Sequence, residues 1–137
     1  MIAVDTSVWV SALRGRSDAI AATLKSLLDA DEVVLPLPVR LELMAGVARS
    51  QRAALRRALT GLPVVFPTEE TWAIVEGWIE PAASAGFRFG QTDLLIAALA
   101  SEVDALVWSL DTDFQQLESL EFVRRYDTGV TPAPHVG

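Results

Sequence analysis

The sequence predicts a single α/β domain, and three observations support this fold class. Short apolar runs alternate with longer segments whose apolar residues recur at helical spacing. A length of 137 residues is typical of one domain, and 51% of the residues are hydrophobic, which is enough to build a core. No internal repeat or low-complexity block interrupts the pattern. We therefore expect one domain over residues 1–127 and a loose tail over residues 128–137, which contains Pro132 and Pro134.

Five short apolar runs are the candidate strands. Proline limits two of them, because Pro36 follows the second run and Pro63 precedes the third. Arg124 and Arg125 indicate that the fifth run lies at a sheet edge. The predicted strands cover residues 2–4, 33–35, 64–66, 105–110 and 122–126.

The segments between these runs are predicted helices with recognisable start and stop signals. Thr6, Ser17 and Thr68 are good N-cap residue types, Pro38 suits the first turn of a helix, and Gly61 ends the basic segment before it. The predicted helices cover about residues 8–13, 18–28, 38–46, 49–59, 68–79 and 92–102.

Composition excludes several classes of active site. The chain has no cysteine, one histidine (His135) and one lysine (Lys25), so disulfides, thiolate metal sites and histidine-based triads are not expected. We find neither a signal peptide nor the roughly 20 consecutive apolar residues of a membrane span, and we expect a cytoplasmic protein without membrane association. The net charge of −7 argues against simple electrostatic binding of nucleic acid unless the acids are clustered for a purpose.

Five carboxylates occupy positions where chemistry is expected. Asp5 directly follows the first strand, Glu42 lies on an apolar and small-sided strip of a helix, and Asp93 opens the Ala/Leu-rich helix. Asp111 and Asp113 follow the fourth strand. Each residue has an ordinary alternative role, because acids commonly cap helices or occupy their first turn, and Glu42 could equally be an exposed acid beside an arginine.

The positions of these acids are more informative together than singly. The carboxyl ends of parallel strands meet at one rim of a sheet, so a parallel sheet would bring the acids together. Two carboxylates about 4 Å apart repel by on the order of 4 kcal/mol at an effective dielectric near 20, so such a cluster persists only if it binds cations. Because oxygen ligands select hard ions, the sequence predicts a site for Mg²⁺ or Mn²⁺.

The acids and their neighbours resemble the motifs of PIN-domain ribonucleases, specifically the VapC-like toxins of bacterial and archaeal toxin–antitoxin pairs. The combined pattern is specific and spans nearly the whole chain up to about Tyr126. The resemblance implies a parallel five-stranded sheet of order 3-2-1-4-5 with helices on both faces. One departure is Ser109, where the family usually has threonine. The matching segments are VDTSVW (4–9), LELMAG (41–46), TDLLIAA (92–98) and SLDTDF (109–114).

The resemblance also implies the composition of the site. Asp5, Glu42, Asp93 and Asp111 correspond to the catalytic and metal-holding acids of the family, and Asp113 to an auxiliary acid. The choice between Asp111 and Asp113 as the fourth ligand stays open.

Further residues are expected to contact the substrate. Thr6 and Ser7 could position a phosphate or a water through their hydroxyls and the N–H groups of a helix start. Arg49, Arg52 and Arg56 share one face of the predicted helix 49–59, which suits contact with an RNA backbone, although a solvated helix face is the alternative.

The activity that the resemblance implies is that of a Mg²⁺-dependent endoribonuclease toxin with RNA as substrate, a cognate antitoxin as partner and a homodimeric assembly. Two related functions stay open: a PIN-type RNA-processing nuclease that is not a toxin, and a non-catalytic module that binds RNA or protein. A phosphoacceptor or phosphatase domain with Asp5 as nucleophile is disfavoured, because such domains need a lysine near the phosphoryl group and Lys25 lies too early in the chain.

Overall fold

A parallel four-stranded sheet flanked by helices forms the fold of residues 1–128, the part of the chain that this computed structural model describes. Strands and helices alternate as the apolar pattern predicts, which confirms the α/β fold class. The strands are β1 (Ile2–Val4), β2 (Val33–Pro36), β3 (Val64–Val65) and β4 (Leu106–Trp108). The helices are α1 (Thr6–Leu13), α2 (Asp18–Asp29), α3 (Leu37–Gly46), α4 (Arg52–Leu59), α5 (Glu69–Ser84), α6 (Gln91–Glu102) and α7 (Asp113–Ser119), and one 3₁₀ turn (Arg49–Gln51) precedes α4.

The strand order of the sheet is β3-β2-β1-β4, and all neighbouring strands run parallel. Ile2 of β1 pairs with Val33 of β2 on one side and with Leu106 of β4 on the other. Each strand is joined to the next in the chain by at least one helix, as parallel pairing requires. The parallel sheet and the order of the first four predicted strands are therefore confirmed.

The prediction of a fifth strand over residues 122–126 is wrong. This segment makes one parallel bridge, between Val107 and Arg125, with the Val107 N–H bonded to Arg124 and the Tyr126 N–H bonded to Val107. The pairing between β4 and this segment goes no further than that bridge, and β4 itself ends at Trp108. On the outer side, the Arg125 N–H donates to the Glu118 carboxylate at 2.7 Å, so a side chain closes this edge.

The core lies around β1, β2 and α6. Every residue of β1 and β2 is buried, as expected for central parallel strands covered on both faces. Residues 96–100 of α6 are also buried, and three of them are alanines, which allow close packing against neighbouring elements. Asp5 and Asp93 therefore project from rigid elements.

Three predicted helices have different bounds in the structure. Helix α1 begins at Thr6 rather than at residue 8, and its N-cap is Asp5 rather than Thr6. The basic helix predicted over residues 49–59 is divided, because the Gln51 N–H bonds to the carbonyl of Ala48 in a 3₁₀ turn before α4 begins at Arg52. Arg49 therefore does not lie on the α-helical face that carries Arg52 and Arg56. Helix α5 continues past the predicted residue 79 and through Pro81 to Ser84.

The predicted tail, residues 128–137, lies outside the described residues except for Thr128. Among the helices of residues 1–128, none combines the length and the apolar composition needed to cross a membrane.

Candidate active site

Adjacent strands β1 and β4 place two of the predicted acids at the same rim of the sheet. Asp5 directly follows β1, and its backbone N–H bonds to the carbonyl of Trp108 at the end of β4 at 2.8 Å. Asp111 follows β4 after two residues. The rim formed by the carboxyl ends of the strands is where ligands bind in open α/β sheets.

Two helix starts add further acids beside Asp111. Asp93 is the third residue of α6 and Asp113 is the first residue of α7. Carboxylate oxygens of Asp93, Asp111 and Asp113 all lie within 4.8 Å of one another. We call these three residues the aspartate cluster. Asp111 also accepts a hydrogen bond from the Asp113 N–H at 2.9 Å, which links the acid after β4 to the first turn of α7.

Asp5 is buried, and one oxygen of its carboxylate is held by two serines. The hydroxyls of Ser7 and Ser109 donate to Asp5 Oδ2 at 2.8 and 2.7 Å. The Ser7 hydroxyl in turn accepts from the Leu110 N–H, and the Ser109 hydroxyl accepts from the Asp111 N–H. The side chain of Asp5 is thus fixed by two residues that are far apart in the sequence, and Ser109 supplies one of the two hydroxyls.

Glu42 lies on α3 and is exposed at this rim. Its Oε1 accepts a hydrogen bond from the Thr6 hydroxyl at 3.3 Å. The pKa of Glu42 is raised, mainly by partial burial; the Thr6 hydrogen bond lowers it and the nearby charge of Asp5 raises it. Glu42 is therefore electrostatically connected to Asp5, although it is not a member of the aspartate cluster.

Asp93 has the most perturbed acidity of the site. Its pKa is raised from 3.8 to about 7, first by burial, then by a hydrogen bond with Asp113, and then by the negative charges of Asp111, Asp5 and Asp113. A half-buried carboxylate among like charges holds a proton near neutral pH unless a cation takes its place. The donor set, all carboxylate oxygens with hydroxyls beside them, fits a hard cation such as Mg²⁺ or Mn²⁺.

The raised pKa of Asp93 predicts how the stability of the metal-free protein depends on pH. Because the folded state binds this proton more tightly than the unfolded state, the contribution is fully present below about pH 3.8 and is lost as pH rises through about 7. In the presence of a chelator, the melting temperature of the wild type relative to Asp93→Asn should fall by a few degrees between pH 5.5 and pH 8. A difference that is constant with pH would contradict the raised pKa of Asp93.

The structure thus brings together most of the predicted site residues. Asp93, Asp111 and Asp113 form the cluster, and the charge of Asp5 acts on Asp93. Ser7 bonds to Asp5, and Glu42, which accepts from Thr6, is connected to Asp5 through charge. The predicted arginines are not in this group. The sequence marks Ser109 only as a departure from a motif, and its hydrogen bond to Asp5 could not be found from the sequence because the two residues are 104 positions apart.

Lys25, the one lysine of the chain, forms neither a hydrogen bond nor an ion pair with Asp5. Its ammonium group lies on α2 and pairs with Asp29 at 2.7 Å on an exposed helix face. This arrangement removes the support for a phosphoacceptor mechanism.

Comparison with known proteins identifies the family. A family profile described as "PIN domain" matches residues 2–120. The chain belongs to the PIN-domain family. This PIN domain is 31% identical to the VapC ribonuclease Mb1587 of Mycobacterium bovis, with 83% of this chain and 89% of that protein covered. It is also 31% identical to ribonuclease VapC19 of Mycobacterium tuberculosis, with 74% of this chain and 82% of that protein covered.

Solved structures share the fold of this PIN domain at lower sequence identity. VapBC2 from Rickettsia felis, bound to a promoter DNA fragment, superposes with a TM-score of 0.75 at 19% identity and covers 93% of this chain and 100% of that chain. FitAcB from Neisseria gonorrhoeae superposes with a TM-score of 0.72 at 23% identity. The match covers 93% of this chain and 97% of that chain.

Proposed function

We propose that this PIN domain is a metal-dependent endoribonuclease that acts as the toxin of a toxin–antitoxin pair. The observation that carries the proposal is the aspartate cluster beside Asp5 at the carboxyl ends of β1 and β4. The similarity to proteins named VapC ribonucleases supports RNA as the substrate.

Asp93, Asp111 and Asp113, together with Asp5, would hold Mg²⁺ or Mn²⁺. When bound, such an ion lowers the pKa of water and offsets negative charge on the phosphate that is attacked. Because Ser7 and Ser109 occupy one oxygen of Asp5, that carboxylate is held in a single orientation beside the cluster.

The other rim residues supply binding and proton transfer. Asp5 is the N-cap residue of α1, so the backbone N–H groups of Thr6 and Ser7 lie at a helix start, where donors suit a phosphate. Glu42 is exposed and its pKa is raised, which makes its carboxylate a candidate acceptor for the proton of the attacking water. Thr6 orients Glu42 through its hydroxyl.

We propose a cytoplasmic location and a cognate antitoxin as the protein partner. The solved structures that share this fold include VapBC assemblies and a toxin–antitoxin complex from Klebsiella pneumoniae, which supports this choice of partner. Trp72 and Ile79 are exposed on α5, and we propose that this face of the helix contacts a second copy in a homodimer.

The nuclease proposal is tested by incubating the purified chain with RNA in Mg²⁺, in Mn²⁺ and in excess chelator. We expect internal cleavage with either metal and loss of cleavage in chelator, because the bound ion would lower the pKa of the attacking water and offset the negative charge of the phosphate. Restoring Mg²⁺ to the chelated sample should restore cleavage. Cleavage that continues at the same rate in chelator, or intact RNA under all three conditions, would contradict the proposal.

A further inference from the structure

A cleft opens beside the aspartate cluster, between the end of β4, helix α7 and residues 125–128. Its volume is about 310 Å³, at the lower end of the range of small-molecule sites. Asp111 belongs both to the lining of the cleft and to the aspartate cluster, and Ser109, which bonds to Asp5, also lines it. A group bound in the cleft therefore lies next to the acids that would hold the metal.

The charge of the cleft disfavours a phosphate. The carboxylates of Asp111, Glu118 and Asp127 line it, and among the described residues of the lining Arg125 alone is basic. Arg125 is already engaged by Glu118, because its backbone N–H donates to Glu118 Oε2 at 2.7 Å and its Nε donates to Oε1 at 3.1 Å. RNA phosphates are therefore repelled from this cleft, and an uncharged part of a nucleotide is the favoured occupant.

The same pairing keeps the cleft acidic. The hydrogen bond from the Arg125 N–H, helped by the guanidinium, lowers the pKa of Glu118. Glu118 consequently stays ionised at neutral pH. Because both of its oxygens accept from Arg125, this pair closes one wall of the cleft and fixes the segment that carries Tyr126.

An aromatic ring forms another wall of the cleft. The backbone N–H of Tyr126 bonds to the Val107 carbonyl at 2.8 Å, and the side chain is half-buried. Its ring meets the buried ring of Trp108 edge to face, with centroids 5.9 Å apart and 68° between the planes. Both rings line the cleft. The backbone and the ring of Tyr126 are thus fixed in place, and such a ring offers a stacking surface to a nucleobase.

Gln115 adds a hydrogen-bonding group to the cleft. It is the third residue of α7, two residues after Asp113, and it is exposed. Its backbone N–H bonds to the Thr112 carbonyl, whereas its side-chain amide makes no hydrogen bond to another residue of 1–128. An amide side chain carries both donors and an acceptor, which are the groups that read the edges of bases.

We propose that this cleft is a nucleobase pocket that selects the nucleotide adjoining the phosphate to be cleaved. Tyr126 stacks on the base and the Gln115 amide hydrogen-bonds to its edge. The proposal rests on the proposed nuclease function and adds to it the residues that determine which sequence is cut. Because carboxylates accept from amino groups and repel carbonyl oxygens, the pocket favours adenine, cytosine or guanine over uracil, which carries no amino group.

Cytosine and uracil are a matched pair of probes, since they share a ring size and differ at C4 in an amino group or a carbonyl. Titrating the chain with cytidine and with uridine, in chelator, tests the pocket with neither phosphate nor metal present. Backbone N–H signals of Ser109 and Leu110 in NMR spectra report binding. Cytidine should bind at least about 5-fold more tightly than uridine. Gln115→Ala and Tyr126→Leu should each weaken cytidine binding about 10-fold, and Tyr126→Phe, which keeps the ring, should not.

The second experiment measures selection during cleavage. An RNA pool with a randomised segment is cut in Mg²⁺ and the ends of the products are sequenced. Uracil should be depleted at least about 5-fold at one of the two positions that flank the cut. Gln115→Ala and Tyr126→Leu should still cut RNA and should lose this depletion, a change that a purely structural role of either residue would not produce.

The matched control is Gln116→Ala, because Gln116 is the next residue of α7 and does not line the cleft. It should behave as the wild type does in both experiments. Equal binding of cytidine and uridine, unchanged selection in both variants, or the same loss in Gln116→Ala would overturn the proposal. If the wild type cuts no RNA, the nuclease function is refuted, and the nucleoside titration still decides whether the cleft distinguishes bases.

Discussion

Replacement of Asp93 by Asn is expected to lower the rate of RNA cleavage by more than about 100-fold, because substitutions that only support metal ligands already cost about 10- to 100-fold. The asparagine side chain would keep the shape of the aspartate but remove one of three carboxylates whose oxygens lie within 4.8 Å of one another. Initial rates with a labelled RNA at saturating Mg²⁺ measure the effect.

The matched control for this variant is Glu102→Gln, which removes one negative charge from the exposed last residue of the same helix. It should cleave RNA as the wild type does. Mn²⁺ should raise the melting temperature of the wild type and of the control, and should raise that of Asp93→Asn less, because the ion binds the folded site. Undiminished cleavage by Asp93→Asn, or loss of cleavage with an unchanged Mn²⁺ shift, would contradict the role of Asp93 as a ligand.

Expression of the wild-type chain without an antitoxin should stop growth of a host whose RNA it cuts, whereas expression of Asp5→Asn should permit growth. Asp5 is 6% exposed and its carboxylate accepts two serine hydroxyls, so loss of its charge removes the anion that adjoins the aspartate cluster. Growth curves after induction, with protein amounts compared on immunoblots, measure the difference.

Asp18→Asn is the control for the growth experiment, because Asp18 is an exposed acid in the first turn of α2. Its expression should stop growth as the wild type does. If the purified wild type cuts host RNA but growth continues at equal protein amounts, the chain is an RNA-processing nuclease rather than a toxin.

The central part of the fold could be predicted from the sequence because β1 and β2 are buried on both faces and read as continuous apolar runs. The wrongly predicted fifth strand has an equally apolar start. No sequence pattern shows that the Arg125 N–H bonds to Glu118, or that β4 is only three residues long. Edge strands depend on such tertiary contacts more than central strands do.

The sequence predicted which types of residue form the candidate site. It did not predict which of the acids lie closest together. The acids at strand ends and helix starts were identifiable because a parallel sheet gathers these positions at one rim. Asp113, expected as an auxiliary residue, lies in the aspartate cluster with Asp93 and Asp111, since α7 begins at Asp113 and turns its side chain toward them. That direction is set by the packing of α7, which local sequence does not specify.

The pairing of β1 with β4 has a consequence for the order of events during protein synthesis. Asp5 leaves the ribosome more than 100 residues before Ser109, Asp111 and Asp113, which complete its surroundings. The neighbours of β1 on the β4 side do not exist until then. A nascent chain, or a fragment from interrupted translation, therefore has no assembled acidic site, and the messenger RNA that encodes the protein is not exposed to its activity while most of the chain is being made.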